Sequence, residues 1–214
     1  MSARFRGECL RVGIADAQAL SSRDLGQPVT DHRSSWVRRA RIGSIDVFIK
    51  TYDYPGVRDK VRGLLRTTFL AASRAERERR ALCWMREKGF AAPEPLAVLE
   101  QRRFGVLRRA VLVTEAWPGT PLPELLATTA TGERDALLRT LEATVESLHR
   151  EGFRDGNLDL RNLLARQTED GSWEVAKIDS PRHRLVAAGG HHDRRARDDW
   201  ERLSRSLTNA GHSR

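Results

Sequence analysis

The sequence is poor in cysteine, lysine and aromatic residues, and it has no long apolar run. Each scarcity excludes something. Two cysteines, Cys9 and Cys83, in a chain of 214 residues give no disulfide framework. No stretch approaches the 18 or so apolar residues of a membrane span. The opening MSARFRGECL lacks a long apolar run, so no signal peptide is expected, and the cytoplasm is the default compartment. No phosphate loop of the G-x-x-x-x-G-K type occurs, and no internal repeat. Zinc-finger and RNP-type patterns and aromatic-interleaved basic runs are missing too, so nucleic acid is an unlikely partner. Four of the 38 basic residues are lysine: Lys50, Lys60, Lys88 and Lys177. The net charge of +9 implies attraction to anions such as nucleotides, phosphorylated sugars or anionic lipid.

The length suits one domain, or one domain of two lobes. Glu8 to Ile14 reads as a short strand and Ser21 to Pro28 as loop. From Trp36 the pattern sharpens: WVRRARI, Gly43-Ser44 and IDVFIKTY read as a β-hairpin with a tight type II′ turn. Alternation puts Asp46, Phe48 and Lys50 on one face of the second strand, with Val47 and Ile49 on the other. Residues 57–70 read as a basic amphipathic helix with Arg58, Arg62 and Arg66 in one row. That row fits either an anionic membrane surface or a solvated helix face.

Ser73 opens the next helix, with Glu76 placed for a capping box. Ala75, Glu78, Leu82 and Met85 share one face, so a carboxylate interrupts an apolar stripe. Such a group needs a partner. Lys50 at the strand end is the expected one; the alternative is a rotated helix with Glu78 in solvent beside an arginine. Strands follow in AAPEPLAVLE and VLVTEAW. A short helix fits 121–127, a long one 132–151 and a last one 193–209, with Trp200, Leu203 and Leu207 inward. His191 and His192 are adjacent and read as loop residues, not metal ligands.

The long helix feeds a polar loop, GFRDGNLDLRN, that ends at Asn162. Leu163-Leu164, a turn at Asp170-Gly171 and the strand EVAKI then lead to Asp179. Helix, polar loop, hairpin and acid form the layout by which kinase-like folds hold magnesium-nucleotide through one Asn and one Asp. The run from Asp155 to Leu164 fits the pattern H-x-D-L-x-L-x-N-L-L without a gap. On these residues the chain resembles the lipopolysaccharide core kinase (Kdo/WaaP) family, relatives of protein kinases that phosphorylate sugars.

The resemblance implies an α+β, two-lobed protein-kinase-like fold, with a small antiparallel N-lobe sheet and a short, mostly helical C-lobe. Residues 1–214 would form a single domain, N-lobe about 1–116 and C-lobe about 117–214. It implies ATP and Mg²⁺ as cofactors, and a sugar or glycolipid hydroxyl as acceptor. Lys50, in V-F-I-K, would hold the phosphates and pair with Glu78. Glu115 and Trp117 would line the adenine, and Asn162 and Asp179 would hold the metal. The short tail after Asp179 fits a small or glycolipid acceptor, reached from a cytoplasmic or peripheral inner-membrane position. Two positions depart from the pattern. Asp155 stands where His is usual, and Asn157 stands where the catalytic Asp is expected. His32, Arg33, Ser34 and Ser35 occupy the place of the protein-kinase glycine-rich loop. A carboxamide orients a hydroxyl but accepts no proton at neutral pH. Either Asp155 or Asp159 supplies the base, or transfer is slow, or the chain is a pseudokinase that binds nucleotide or a partner without turnover.

Overall fold

Period-two alternation builds the first half of the chain into one antiparallel sheet. The structure is a computed structural model and describes residues 1–11, 17–54, 72–189 and 193–211. The basic segment expected as a helix over 57–70 and the pair His191-His192 lie outside the described residues. The sheet comprises β1 (Gln27–His32), β2 (Ser35–Ile42), β3 (Ile45–Asp53), β4 (Pro95–Arg103) and β5 (Val106–Glu115). Their order is β1-β2-β3-β5-β4. Ile42 pairs with Ile45, so Gly43-Ser44 is a two-residue loop. Gly43 takes φ +59 and Ser44 stays negative, the type II′ arrangement that fits the twist of the strands.

One face of the sheet is apolar. Ala40, Ile42, Val47, Ile49, Leu96, Val111 and Val113 pack there with Phe5 and Cys9 of helix α1 (Ala3–Arg11). The strand expected over Glu8–Ile14 is thus corrected: through Arg11 the chain is helical. Leu10, Val12 and Ile14 alternate in sequence, which suggests a strand. Helical spacing instead turns Phe5, Glu8 and Cys9 inward and leaves Leu10 69% exposed. Glu8 is buried for a reason. Its Oε2 accepts from Ser44 N–H and its Oε1 from Ser44 Oγ, both at 3.3 Å, so helix α1 clamps the β2–β3 turn. Strand β1 likewise begins inside the stretch Ser21–Pro28 that the sequence suggests is loop. All six of its residues are exposed, so no apolar alternation marks it.

After a four-residue helix α2 (Ala17–Leu20), the next helix among the described residues is α3 (Arg74–Glu87). Ser73 Oγ accepts from Glu76 N–H at 3.0 Å, the forward half of a capping box. The return bond comes from elsewhere: Ser73 N–H donates to Glu100 at 3.2 Å, while Glu76 pairs with Arg79 and Arg80. Helix α3 stops in a Schellman motif. Gly89 takes φ +81, Gly89 N–H donates to Arg86 O and Phe90 N–H to Met85 O.

The chain divides into two compact units, 1–83 with 94–116, and 84–93 with 117–214. The second is mostly helical. It holds α4 (Leu122–Thr128), α5 (Thr131–Arg150) and α6 (Arg194–Asn209). It also holds a three-stranded sheet, order β6-β8-β9, of β6 (Thr120–Pro121), β8 (Leu163–Gln167) and β9 (Trp173–Lys177). A two-stranded pair joins β7 (Phe153–Arg154) to β10 (Arg184–Leu185). Leu137, Leu141 and Val145 of α5 recur every fourth residue and pack on Leu158, Leu160, Leu163, Val175, Leu203 and Leu207. Each such side chain contributes about 2 kcal/mol on burial, which fixes α5 and α6 around the polar loop between α5 and β8. Among the described residues, no helix is long and apolar enough to cross a membrane.

A Cβ at Gly43 would lie 1.8 Å from Glu8 Oε2, and its φ is positive. Gly43→Ala should therefore destabilise the protein by about 2 kcal/mol. Urea unfolding checks this; an unchanged midpoint would refute the clamp.

Candidate active site

In the first unit, β3 carries Lys50 and Tyr52 on the face opposite Val47 and Ile49. Glu78 projects from the apolar stripe of α3 and is 3% exposed. Lys50 Nζ donates to Glu78 Oε1 at 2.9 Å and to Oε2 at 3.1 Å, and Tyr52 Oη donates to Oε2 at 3.2 Å. Ala75 and Leu82 flank the carboxylate in the same stripe and are fully buried. A carboxylate so desolvated keeps its charge only with donors such as these. The alternative of a solvent-facing Glu78 is thereby excluded.

In the second unit, the loop after α5 is held from behind by a carboxylate of α6. Asp199 of α6 is 1% exposed. It accepts from Asp155 N–H at 2.9 Å and Gly156 N–H at 2.8 Å, and His149 Nε2 lies 3.3 Å away. Gly156 takes φ +66. Arg154, equally buried, bonds Asp193 at 2.9 Å and the carbonyls of His149 and Phe153. Phe153 stacks between Trp84 at 5.2 Å and His183 at 5.5 Å. The signal for Asp199 was present: Ala196, Asp199, Leu203 and Leu207 share a helical stripe, the same interruption that betrays Glu78.

The loop brings Asn157, Asn162 and Asp179 together. Asn157 Nδ2 donates to Asp179 Oδ2 at 2.9 Å and to Asp179 O at 3.1 Å. Asn162 Nδ2 donates to Asn157 O at 3.0 Å, and Ile178 N–H donates to Asn162 O at 2.9 Å. Asp179 adopts φ +58, a left-handed conformation strained for a residue with a Cβ. Strain of this kind persists where surrounding bonds over-determine it. Here the amide of Asn157 grips both the backbone and the side chain.

The other two carboxylates of the loop are committed. Asp155, 3% exposed, lies 3.3 Å from Lys177 Nζ. Lys177 is buried too and also donates to the Ile178 carbonyl. Burial pushes the Asp155 carboxyl above the usual carboxylate range, with Lys177 pulling the other way. Asp159 Oδ1 accepts from Arg161 N–H and Nε and from Ser206 Oγ; its Oδ2 accepts from Arg161 Nη2. Those bonds, Arg161 foremost, hold its pKa below the ordinary value. It caps a single 3-10 turn over Leu160–Asn162.

Glu115 and Trp117 are placed differently. Glu115 lies 3.6 Å from Arg4, and its N–H donates to Glu94 O. The Trp117 ring lies over Gly119, with the Arg166 guanidinium 4.8 Å above it.

The donor set of the loop fits magnesium. The Nδ2 of Asn162 is committed to Asn157, which assigns its Oδ1 as the oxygen for a cation. Asp179 brings a carboxylate, one oxygen of which accepts from Asn157. Magnesium takes hard oxygen ligands, one or two from protein and the rest from phosphates and water. Among the described residues no cluster of three or more His, Cys, Asp or Glu could hold a metal. An Asn–Asp pair of this kind needs phosphate oxygens to complete it.

The raised pKa of Asp155 has a pH consequence. Its neutral form is the one the fold prefers. The stabilisation from this group is complete below the unfolded carboxylate pKa and is lost as pH rises through the raised folded value. Asp155→Asn stays neutral throughout. Its stability relative to the native chain should rise as pH climbs above about 4, the unfolded carboxylate value. Melting temperatures of both proteins across that range check this; a difference that falls with pH would contradict it.

The sequence profile of the lipopolysaccharide kinase (Kdo/WaaP) family matches residues 33–214. No curated protein matches the chain. Among solved structures, WaaP in complex with acyl carrier protein is similar, with TM-score 0.68 and 18% identity over 97% of this chain and 81% of that one. The Rio2 kinase–ADP/Mg²⁺–phosphoaspartate complex from Chaetomium thermophilum gives TM-score 0.61 and 17% identity over 94% of this chain and 59% of that one. At these identities the structures speak to fold, and the fold is protein-kinase-like. The profile covers most of the sequence, including every residue of the loop and of the Lys50–Glu78 pair, and the chain belongs to the lipopolysaccharide kinase (Kdo/WaaP) family.

Proposed function

We propose that this kinase-family protein binds ATP with magnesium and transfers phosphate slowly to a sugar or glycolipid hydroxyl, without a loop carboxylate acting as base. The observation that carries the reading is the Asn157 amide, which donates to Asp179 at the position where a proton acceptor is expected. The chain is read as a single kinase-like domain with lobes of about 1–116 and 117–214. Lys50, oriented by Glu78, is assigned to the phosphates, Asn162 and Asp179 to magnesium, and the backbone around Glu115–Trp117 to adenine. Asn157 is assigned to orienting the acceptor hydroxyl and Asp179. Asp159 is assigned to shaping the loop through Arg161. Bound magnesium would bridge phosphate oxygens and neutralise their charge. Phosphoryl transfer has a loose transition state, so positioning and charge neutralisation supply most of the rate. A missing base costs about 10²–10⁴-fold.

The bonds of Asp155 and Asp159 support this over a displaced base. Asp155 is sealed beside Lys177, and the lowered pKa of Asp159 makes it a weak proton acceptor. A second reading, nucleotide binding without turnover, is favoured by the same Asn157–Asp179 contact, since it ties down the acid that the metal needs.

Phosphate transfer from ATP to sugar and glycolipid acceptors tests the reading. The native chain should turn over feebly, and Asn157→Asp should gain up to about 10²-fold in magnesium. In chelator the same variant should melt lower than the native chain, because it sets two carboxylates in hydrogen-bond contact. Brisk native activity lost in Asp159→Asn would show that the base has moved. Absence of transfer in both proteins, with nucleotide still bound, would establish the second reading.

A further inference from the structure

The β4–β5 hairpin overhangs the sheet. Strand β3 pairs with β5 only as far as Asp53 opposite Arg109, whereas β4 and β5 pair on to Arg103 opposite Val106. The hairpin thus extends about 10 Å past the end of β3, at roughly 3.3 Å per residue. Its two-residue turn is Phe104-Gly105, with φ +52 and +76. Positive φ at both positions is the type I′ geometry, for which Asn, Asp or Gly is the favoured first residue. This chain has Phe instead, and the ring is 86% exposed. Neither turn geometry nor core packing accounts for an aromatic there.

The surroundings are cationic. Gln101 to Arg108 includes Arg102, Arg103 and Arg108 and no acid. The Arg103 guanidinium lies 5.5 Å from the Phe104 ring centroid. Arg102 is folded back onto Glu100 and the Gly105 carbonyl. The β1–β2 turn lies at the same end of the sheet, since Asp53 N–H donates to Ser34 O and Tyr54 N–H to Arg108 O. It adds Arg33, which is exposed.

We propose that this tip is a membrane contact: Phe104 enters the interfacial layer of an anionic bilayer while Arg103, with Arg33 at the same end of the sheet, meets lipid phosphates. An exposed apolar ring with an exposed guanidinium beside it matches that layer, where apolar side chains are buried shallowly and cations gain from anionic headgroups. Nucleic acid fits less well. It calls for a groove that tracks several phosphates, with successive aromatic platforms, and the tip offers one ring at a point. The contact is independent of the catalytic reading: a chain that transferred no phosphate would bind through it equally.

Co-sedimentation of the full chain with vesicles tests this, using phosphatidylcholine alone and phosphatidylcholine containing phosphatidylglycerol. The native chain should bind the anionic vesicles. Phe104→Asn should weaken that binding by at least about 5-fold. It should not lower the melting temperature, because Asn-Gly is the preferred type I′ pair. Arg103→Ser should weaken binding about 5-fold at low salt. Equal vesicle binding by native chain and Phe104→Asn would overturn the proposal. So would a fall in melting temperature for that variant, or loss of DNA retention by it with vesicle binding unchanged.

Discussion

A single buried carboxylate sets the shape of the loop. Asp199 takes the consecutive N–H groups of Asp155 and Gly156 and thereby fixes the backbone from which Asn157 projects. Alone, so desolvated a charge would cost several kcal/mol. Two charge-assisted bonds from the backbone, with His149 alongside, offset that cost. The backbone in turn gains partners for two N–H groups that helix α5 does not reach. Asn157 then meets Asp179, and Asn162 meets the Asn157 carbonyl, so the placement of Asn157 traces back to α6.

The two departures from the family pattern each come with a partner. Asp155, in the place of a His, faces Lys177, the last residue of β9. Asn157, in the place of an Asp, donates where an Asp would repel. At one position a cation lies 3.3 Å from the replaced residue's carboxylate, and at the other an amide donates to a carboxylate. An amide in place of a carboxylate gives up proton acceptance and holds Asp179 in its left-handed conformation. Under the proposed phosphoryl transfer, the rate would rest on the terms that a loose transition state uses most.

Much of this was legible in the sequence where a polar residue broke an apolar period. Glu78 on its helix stripe, and Asn162 and Asp179 at the ends of loop and strand, are of that kind. Asp199 broke a stripe in the same way and was overshadowed by Trp200, Leu203 and Leu207 beside it. Strand β1 was not legible because an edge strand with both faces in solvent has no alternation to show. The N-terminal helix was misread because Leu10, Val12 and Ile14 alternate, while the residues that bury, Phe5, Glu8 and Cys9, are mostly earlier in the chain. The bond from Asn157 to Asp179 could not be read from spacing. It depends on a left-handed Asp, and the sequence gives no sign of a positive φ at a residue that is not glycine or asparagine.

The central claim is that Asn162 and Asp179 still hold magnesium-nucleotide although the proton acceptor is gone. Calorimetric titration of the full chain with ATP, in magnesium and in excess chelator, tests it most directly. The account predicts binding in magnesium that weakens at least about 10-fold in chelator, and an equal loss in Asp179→Ala whichever condition is used. Binding of the same strength in chelator and in Asp179→Ala, or no binding in magnesium at all, would contradict it.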